Sequence, residues 1–428
     1  MTPKKKILLY IPSLVGGGAE KVVYDIIRNA DHDKYEYRVF AHDYSGVYAE
    51  KIGAEYLVHV PTRGISDIAS HFFDRVSLRL TKGRWKLSEK LKIFVRKKEL
   101  HRFLEALDMN DDKFAREKAT KLFLSKGLTH FRKAIECYQP DLICSHLLYA
   151  NSTAYICSLL HSGRGFPAIV AAEHTVRHKH IAESNATDED KAFWHKLAEA
   201  TYKAVTVTVC VSDGIKQDLI DSYGVSPASL ITIYNGVARG DSNHVGKNRD
   251  KNFILSVGRL VKQKQQDQII QAYAKSGIYK DFDLVILGEG SELESLVRLT
   301  EKLNIKKHVF FEGFCDQADS FYSKASCFVF SSAYEGFGLV LVEALANGCP
   351  VVSYDCDYGP GEIIKSPEHG VLVPLNRIDL LAEAMIKVVY TDRRTPKSDA
   401  KRMAYAQKFS ISNMISGYEQ CFESVLQA

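Results

Sequence analysis

Long apolar runs are missing from this 428-residue sequence, in which no stretch approaches the roughly 18 uncharged apolar residues that a membrane-spanning helix needs. The N-terminus has three lysines but then only the short apolar run Ile7–Ile11 before Pro12, which predicts a first β-strand rather than a signal peptide. The composition is 46% hydrophobic and 25% charged, which excludes a disordered, collagenous or coiled-coil protein. The length of the chain predicts two or three globular domains.

Patterns typical of metal sites and disulfide frameworks are missing too. The nine cysteines include no Cys-x-x-Cys pair, and their number is odd. Several lie inside apolar runs, such as Cys210 and Cys327. We therefore expect small buried side chains in a reducing cytosol.

Excess positive charge is confined to one segment. Residues 63–135 contain 19 Lys and Arg against 9 Asp and Glu, a net charge of +10, whereas the whole chain is +5 and the remainder therefore −5. Apolar stripes at helical spacing over residues 69–95 predict that this segment is a mostly helical insertion between the third and fourth strands of the first domain. Its charge predicts a local acidic partner.

Short β-branched runs alternate with amphipathic stretches almost throughout the chain, which predicts an α/β fold with two doubly wound parallel sheets. The predicted strands of the first half are Lys6–Ile11, Glu36–Ala41, Tyr56–Val60, Leu142–His146, Ala168–His174, Val205–Ser212 and Leu230–Tyr234. Those of the second half are Phe253–Val257, Asp283–Leu287, Val309–Gly313, Cys327–Ser331, Pro350–Tyr354 and Gly370–Val373. Residues 238–251 contain almost nothing apolar and are predicted to be the domain linker. Ligands of such sheets bind beyond the carboxyl ends of the strands.

The strongest chemical signal is Glu335-Gly-Phe-Gly-Leu-Val-Leu-Val-Glu343, in which two carboxylates flank a predicted loop-to-helix junction. A helix that starts near Gly338 would present the amides of Gly338 and Leu339 to a phosphate. Glu335 would be free to reach a sugar, and Glu343 could accept hydrogen bonds from a ribose diol. Two solvated glutamates at a helix start are the plain alternative.

This element, followed by Gly348-Cys-Pro350, resembles the signature of the retaining glycosyltransferases of family 4. The resemblance covers nearly the whole chain outside residues 63–135. It implies a GT-B fold, in which two Rossmann-like domains face each other across a cleft. It also implies that Glu335 contacts the donor sugar, that Glu343 binds the nucleotide ribose, and that the donor site includes Phe337, Gly338 and Leu339.

Two further loops of the second half match the family. Arg259 and Lys264 follow the first strand, where a guanidinium and an ammonium suit a diphosphate; solvated surface charges are the alternative, and the resemblance implies a pyrophosphate clamp. Gly313 and Phe314 follow the third strand, where the backbone of family members holds the base.

In the first half, the turn Gly16-Gly17-Gly18 follows the first strand and opens a helix, so its backbone could approach a ligand closely. It lacks the Gly-x-Gly-x-x-Gly spacing of dinucleotide-binding folds, and a flexible turn is the alternative. The resemblance implies that this turn faces the donor phosphate and acceptor. It also gives His174, at the end of a predicted strand, a contact with a donor sugar hydroxyl.

The pair Asp355 and Asp357 reads as the Asp-x-Asp metal motif of the other major glycosyltransferase fold. Here it follows a late strand of the second half, after a complete Glu-x7-Glu element. Since Arg259, Lys264 and a helix end can neutralise the diphosphate, we expect neither a metal nor another cofactor.

The resemblance therefore implies a retaining glycosyltransferase with a nucleotide-sugar donor, most simply a UDP-hexose or UDP-N-acetylhexosamine, although GDP-mannose stays open. A glycan or polyprenyl-linked acceptor is expected, and no nucleic acid. A nucleotide-sugar epimerase would need an acid/base pair instead of an acceptor site. An inactive scaffold subunit is the other alternative, and the intact set of candidate residues argues against it.

The domain prediction is an acceptor-side domain over residues 1–238, a donor-binding domain over 239–408, and a last helix, 409–428, that returns to the first domain. Within the insertion, the basic residues that we expect to bind an acceptor or a membrane are Arg75, Arg79, Lys97 and Lys98. A basic amphipathic helix can lie among anionic headgroups, which places the protein on the inner face of the cytoplasmic membrane. Apolar stripes that merely pack on the first domain are the alternative.

Overall fold

The structure is a computed structural model, and it describes residues 3–58, 60, 97–107, 109, 112–123, 125–161, 165–238, 252–315, 318–391 and 394–427. The chain divides into two compact units. The first unit comprises residues 1–211, 215–233 and 415–428, and the second comprises residues 212–214 and 234–414.

The first unit is built on a six-stranded sheet in the order β2-β1-β3-β4-β5-β6, with every pair parallel. The strands are β1 (Lys5–Tyr10), β2 (Tyr35–Phe40), β3 (Leu142–His146), β4 (Ala168–Glu173), β5 (Val207–Cys210) and β6 (Leu230–Thr232). The central strand β3 is buried over its whole length. Burial on both faces explains why the strand sequences are unbroken apolar runs rather than alternating ones.

Helices lie between these strands. Their bounds are Gly18–Asn29, Val47–Ile52, Lys97–Ala106, Lys113–Phe123, Lys126–Tyr138, Leu147–Leu160, Arg177–Ala182, Asp188–Ala204 and Asp213–Tyr223. Several starts are fixed by local hydrogen bonds: the Ser125 hydroxyl accepts from the Leu128 amide at 3.2 Å, and the Thr187 hydroxyl from the Asp190 amide at 3.2 Å. Such caps satisfy amides that have no partner inside the helix.

The second unit has its own six-stranded parallel sheet, in the order β12-β11-β10-β7-β8-β9. The strands are β7 (Phe253–Val257), β8 (Asp283–Leu287), β9 (Val309–Gly313), β10 (Cys327–Phe330), β11 (Val351–Asp355) and β12 (Gly370–Pro374). The helices are Gln266–Ser276, Leu293–Lys302, Asp319–Lys324, Leu339–Ala346, Pro360–Ile363, Ile378–Ile386, Pro396–Ala406 and Ile411–Gln427. The last of these begins in the second unit and enters the first from residue 415.

Strand order reverses at one point in each sheet: between β1 and β3 in the first, and between β7 and β10 in the second. In doubly wound sheets the crevice for a ligand opens at this switch point, beyond the carboxyl ends of the strands. The loops after these four strands are therefore the places to examine for function.

The predicted third strand is wrong. Instead of a strand over residues 56–60, the chain forms a 3-10 turn at Ala54–Tyr56 and a single bridge between Val39 and Leu57. The turn follows Gly53, whose φ of +93° ends the preceding helix. The basic insertion therefore lies between the second and third strands of the sheet, rather than between the third and fourth.

The structure describes most of the insertion from residue 97 onwards. Its helices pack on the first unit through buried side chains, including Leu104, Ala119 and Phe123. Lys118 is buried too and forms an ion pair with Asp190. The apolar stripes predicted over residues 69–95 lie outside the described residues, as does nearly all of the predicted linker.

Residues 415–427 of the last helix pack within the first unit. The Glu419 carboxylate accepts a hydrogen bond from the Asp31 amide at 2.7 Å, and Glu423 forms an ion pair with Lys34. Phe422 is fully buried, with its ring 6.4 Å from that of Tyr35. Seven of the nine cysteines are buried. Among the described residues no helix combines the length and apolarity that a bilayer crossing requires.

Candidate functional site

The switch point of the second sheet holds an ion pair. Lys264 lies in the loop after β7, Glu335 in the loop after β10, and the ammonium of Lys264 pairs with the carboxylate of Glu335. Both side chains are largely shielded, with 17% and 11% of their surface exposed. Glu335 was expected to be free in its loop; the structure corrects this, because its carboxylate is paired with Lys264.

Further hydrogen bonds lock these two loops together. The Ser331 hydroxyl donates to the carbonyl of Lys264 at 2.7 Å and to that of Gln265 at 2.8 Å. The side-chain amide of Gln263 donates to the carbonyl of Tyr334 at 2.9 Å. The charged pair is thus fixed from both sides by neighbouring backbone.

The helix Leu339–Ala346 starts directly after this loop. Its N-cap is Gly338, whose φ of +92° is rarely accessible to other residues. The cap makes no side-chain hydrogen bond, and the first turn contains no acidic residue. The amide of Leu341 donates to the carbonyl of Gly338 at 2.9 Å. The amides that precede it in the first turn suit an anion such as a phosphate oxygen.

Glu343 lies in the second turn of that helix and is half-buried. Its carboxylate accepts a hydrogen bond from the hydroxyl of Tyr322 at 3.2 Å. Tyr322 is itself buried, and burial raises the pKa of its hydroxyl well above the ordinary value, so that it stays a donor. A carboxylate oriented in this way can accept hydrogen bonds from a diol.

The Arg259 side chain is exposed. Backbone hydrogen bonds fix its loop to the neighbouring ones: the amide of Leu260 donates to the carbonyl of Glu289 at 2.8 Å, and the amide of Gly288 to that of Gly313 at 2.7 Å. Phe314 directly follows Gly313 and is 60% exposed. The carboxyl edge of β7, β8 and β9 thus presents a cation and an exposed aromatic ring.

In the first unit, His174 follows β4 and contacts His146, the last residue of β3. Nε2 of His174 lies 2.9 Å from Nδ1 of His146, and the two rings stack with their centroids 5.2 Å apart. Burial lowers the pKa of His174 to about 4, although Glu173 opposes this. Both rings are therefore neutral near pH 7, since burial also lowers the pKa of His146.

A buried ion pair holds the backbone that carries His174. The Glu173 carboxylate accepts hydrogen bonds from the amides of His174 at 2.9 Å and Thr175 at 3.0 Å. It also pairs with Arg177 at 2.7 Å and accepts from the Tyr202 hydroxyl. Burial alone would raise the pKa of Glu173, but Arg177 and the hydrogen bonds lower it below the ordinary value. Glu173 is therefore a carboxylate that shapes the turn at His174.

The glycine turn of the first unit is exposed, and the helix Gly18–Asn29 begins at Gly18. The Glu20 carboxylate lies against Gly17, where an added Cβ would come within 2.6 Å of its oxygen. That oxygen ends a flexible side chain and can move away. The position of this turn that favours glycine is Gly16, whose φ of +151° other residues rarely adopt.

Two family models match this chain. The model of "Glycosyl transferases group 1" matches residues 239–409, which contain the ion pair and the helix start. That of "Glycosyltransferase Family 4" matches residues 114–239, which contain both histidines. The chain belongs to the group 1 glycosyltransferases. This membership accounts for the sequence signature at Glu335 and Glu343.

Individual members of the group 1 glycosyltransferases are similar over part or all of this chain. An N-acetylgalactosamine-N,N'-diacetylbacillosaminyl-diphospho-undecaprenol 4-alpha-N-acetylgalactosaminyltransferase of Campylobacter jejuni is 34% identical over 219 residues, which cover 49% of this chain and 58% of the relative. Across eight curated relatives, the matched region spans 24% to 62% of the relative's length.

Solved structures share the fold at low sequence identity. Anabaena HepE in complex with UDP has a TM-score of 0.67 at 16% identity, covering 98% of this chain and 100% of that one. The lipopolysaccharide outer core galactosyltransferase WaaB has a TM-score of 0.62 at 18% identity, covering 98% and 99%. The group 1 glycosyltransferase described here therefore has the GT-B fold, with a Rossmann-like sheet in each unit.

The remaining residues predicted for the site lie as follows. Phe337 is buried between the rings of Tyr234 and Phe409, at 5.5 and 5.6 Å, so only its backbone can meet a ligand. Leu339 is the first residue of its helix. Arg75 and Arg79 lie outside the described residues, whereas Lys97 and Lys98 open the helix Lys97–Ala106.

Asp355 and Asp357 are both exposed. Within the described ranges, no three His, Cys, Asp or Glu side chains come together as metal ligands.

The residues predicted from the sequence for this site do not include His146, Tyr322 or Ser331. His146 carries a detectable signal, because it ends a predicted strand at the switch point just as His174 ends the neighbouring one. Tyr322 and Ser331 carry no such signal, because their hydrogen-bond partners, Glu343 and Lys264, are 21 and 67 residues away in sequence.

Proposed function

We propose that this protein is a retaining glycosyltransferase that moves a hexose or N-acetylhexosamine from a UDP-sugar to a glycan or polyprenyl-linked acceptor in bacterial surface-polysaccharide assembly. The Campylobacter relative is named for transfer to a diphospho-undecaprenol-linked sugar, and HepE is described in complex with UDP-glucose. These names favour a UDP-sugar donor over GDP-mannose.

The observation that carries the proposal is the Lys264–Glu335 ion pair beside a helix N-terminus at the switch point of the second sheet. A departing nucleoside diphosphate develops negative charge, which a fixed ammonium and the amides at the helix start stabilise. Arg259 adds an exposed guanidinium that can bind two phosphate oxygens. The proposal needs no metal ion or other cofactor for this charge stabilisation.

Retention at the anomeric carbon follows in this proposal from a front-face reaction. The bond from the anomeric carbon to the diphosphate oxygen breaks as the acceptor hydroxyl attacks from the same side, and the leaving diphosphate takes the hydroxyl proton. Glu335 would hydrogen-bond the sugar hydroxyls, because the ion pair with Lys264 orients its carboxylate. Glu343, held by Tyr322, would bind the ribose diol.

His174 would hydrogen-bond a hydroxyl of the donor sugar. Its neutral ring suits this role, because burial lowers its pKa to about 4. A neutral imidazole can orient the sugar without adding positive charge beside the oxocarbenium-like centre.

The acceptor side of the proposal is assigned to the basic insertion. Residues 63–135 carry a net charge of +10, and each Lys or Arg near an anionic surface contributes about 1 kcal/mol. We propose that the segment, including Arg75, Arg79, Lys97 and Lys98, binds anionic lipid or the pyrophosphate of a lipid-linked acceptor on the inner face of the cytoplasmic membrane. Flotation with vesicles of anionic and of neutral lipid tests this part separately.

A donor panel tests the central proposal. The full-length protein is incubated with UDP-glucose, UDP-galactose, their N-acetylamino counterparts and GDP-mannose, and released nucleotide and sugar are measured by mass spectrometry. We expect slow UDP release from at least one UDP-sugar, undiminished by EDTA. Interconversion of two UDP-sugars without UDP release would indicate an epimerase, and no binding of any nucleotide sugar would contradict the proposal.

The control for the panel is Glu335→Gln, which keeps the shape of the side chain but removes its charge. It should bind UDP with nearly unchanged affinity while its UDP release falls by about 10²-fold or more, in the range of lost charge-stabilising groups. Equal release by both proteins would attribute the activity to a contaminant or to another site.

A further inference from the structure

Three side chains form a line inside the first unit, and the proposed mechanism uses only the last of them. The thiol of Cys144 lies 3.6 Å from Nε2 of His146, and Nδ1 of His146 lies 2.9 Å from Nε2 of His174. Cys144 and His146 have no exposed surface. Each ring nitrogen of His146 therefore has one polar partner in the part of the chain that the structure describes.

Because His146 is neutral, only one of its two nitrogens carries a hydrogen, and the partners decide which. A buried N–H needs a good acceptor, and an imidazole nitrogen accepts better than a thiol sulfur. Burial raises the pKa of Cys144, so its thiol keeps a hydrogen that it can donate to Nε2. The consistent arrangement is Cys144 donating to His146, and His146 donating through Nδ1 to His174.

This arrangement fixes the tautomer of His174 as well. Its Nε2 accepts from His146, so the hydrogen of the neutral ring must sit on Nδ1. That atom is buried and has no hydrogen-bond partner among the described residues. An N–H donor in such a position needs an acceptor oxygen, and a sugar hydroxyl supplies one.

Few other groups near His146 and His174 could influence the tautomer of His174. On the next strand, His146 lies opposite Ala172, and from the last helix the ring of Tyr418 lies 6.3 Å away. The charges nearest to His174 are Glu173 and Arg177, which neutralise each other in a buried ion pair. The tautomer is therefore set by His146 rather than by a neighbouring net charge.

We propose that His146 is a positioning residue, which holds the His174 ring and fixes it as the Nδ1–H tautomer so that it donates a hydrogen bond to an oxygen of the donor sugar. This inference rests on the proposed function for its last step. The tautomer itself does not depend on any donor.

The first arm of the test reads the tautomer without substrate. The full-length protein is labelled with ¹⁵N-histidine, and long-range ¹H–¹⁵N spectra are recorded near pH 7, with His174 assigned by the signals lost in His174→Gln. We expect a protonated Nδ1 and an unprotonated Nε2 for His174. A wild-type His174 protonated on Nε2 would overturn the proposal.

The second arm uses substitutions at His146. His146→Asn keeps an amide N–H close to the place of Nδ1, whereas His146→Leu keeps bulk and removes the donor. We expect His174 to stay Nδ1–H in His146→Asn and to become a mixture of tautomers in His146→Leu. Thr208→Val, a buried substitution on β5 of the same sheet, controls for general disturbance of the core.

The third arm measures UDP release from UDP-glucose and UDP-N-acetylglucosamine. Misplacement of a reacting group by about 1 Å can lower a rate 10²-fold, so kcat of His146→Leu should fall about tenfold or more with KM changed less than about threefold. His146→Asn should recover most of the loss, and Thr208→Val should match the wild type. Equal losses in His146→Leu and His146→Asn, with thermal stability intact, would refute the positioning role.

Failure of the proposed function and failure of the positioning role of His146 give different results. If wild-type protein releases no nucleotide from any donor, the proposed function fails while the tautomer result still decides the role of His146. If His146→Leu does not fold, the spectra of the wild type and of His146→Asn decide it.

Discussion

Lys264 forms an ion pair with Glu335, although the two residues are 71 positions apart in sequence. They lie in the loops after β7 and β10, which are the two strands that flank the switch point of the second sheet. Each charge compensates the burial of the other, so removing either one leaves an unpaired charge in a shielded place. The pair is thus a structural as well as a chemical unit, and variants of it need controls for both.

Lys264→Ala should lower UDP release about 10² to 10³-fold, because it removes a fixed positive charge from the proposed leaving diphosphate. Lys264→Arg should retain more activity, since it keeps the charge with a different shape. Lys262→Ala is the matched control, because Lys262 is an exposed lysine two positions earlier in the same loop. A loss in Lys264→Ala no larger than in Lys262→Ala would contradict the role of Lys264. Melting temperatures of all three show whether the lost ion pair alone explains the result.

The position of both members of this pair at the edge of the sheet where ligands bind was predictable, because each follows a predicted strand. Their contact with each other was not, since it depends on the order β10-β7 in the sheet, and apolar periodicity does not encode strand order. His146 could have been found by the rule that selected His174. Tyr322, in contrast, acts through one hydroxyl on a helix whose sequence resembles that of any half-buried helix.

Twelve of the thirteen predicted strands agree with the structure to within two residues at each end, because the sequences of buried parallel strands are unbroken apolar runs. The run at Tyr56–Val60 was equally apolar and yet is not a strand. It follows a short helix that ends at Gly53, and among its described residues the one bridge is that of Leu57 with Val39. An apolar run predicts burial, but a strand also needs a neighbour with free hydrogen-bonding groups.

Tyr322→Phe should weaken UDP binding about fivefold while leaving kcat nearly unchanged. The substitution removes the hydroxyl that lies 3.2 Å from the Glu343 carboxylate, and one such hydrogen bond contributes about 1 kcal/mol. Titration calorimetry with UDP gives the affinity. Tyr405→Phe is the control, because it removes a hydroxyl from the same unit that bonds the carbonyl of Ile363 instead. Equal UDP affinity in Tyr322→Phe and the wild type would contradict the role of the Tyr322–Glu343 hydrogen bond in nucleotide binding.

Acid should destabilise the first unit through His42. Burial lowers the pKa of His42 to about 4, with a smaller contribution from His130, whereas an unfolded histidine titrates near 6.5. Between these values the unfolded chain binds more protons, so stability is complete above about pH 6.5 and is lost as the pH falls towards 4. The loss from this one group is at most about 3 kcal/mol.

His42→Gln should reduce this acid sensitivity, because glutamine does not titrate and can still hydrogen-bond the Tyr10 hydroxyl, which lies 2.7 Å from Nε2 of His42. Free energies of unfolding in urea at pH 7 and pH 4.5 give the difference for each protein. The control His101→Gln changes an exposed histidine of the same unit and should keep the wild-type difference. An unchanged difference in His42→Gln would assign the acid sensitivity to other groups.

Gly288→Ala should weaken both the second unit and its donor binding. Gly288 has a φ of +138°, and an added Cβ would lie 2.0 Å from the carbonyl oxygen of Gly258, which directly precedes Arg259. Moving backbone atoms costs more than moving a side chain, so the substitution must push the Arg259 loop away from the edge of the sheet.

Gly277→Ala is the matched control, because Gly277 also has a positive φ, +69°, but nothing lies within 4 Å of the added Cβ. It should cost only the conformational strain of about 1 to 2 kcal/mol and leave UDP affinity unchanged. Gly288→Ala should cost more than this in urea unfolding and bind UDP at least about tenfold more weakly, which corresponds to 1.4 kcal/mol. Equal stability and equal affinity in the two variants would show that the Arg259 loop does not depend on Gly288.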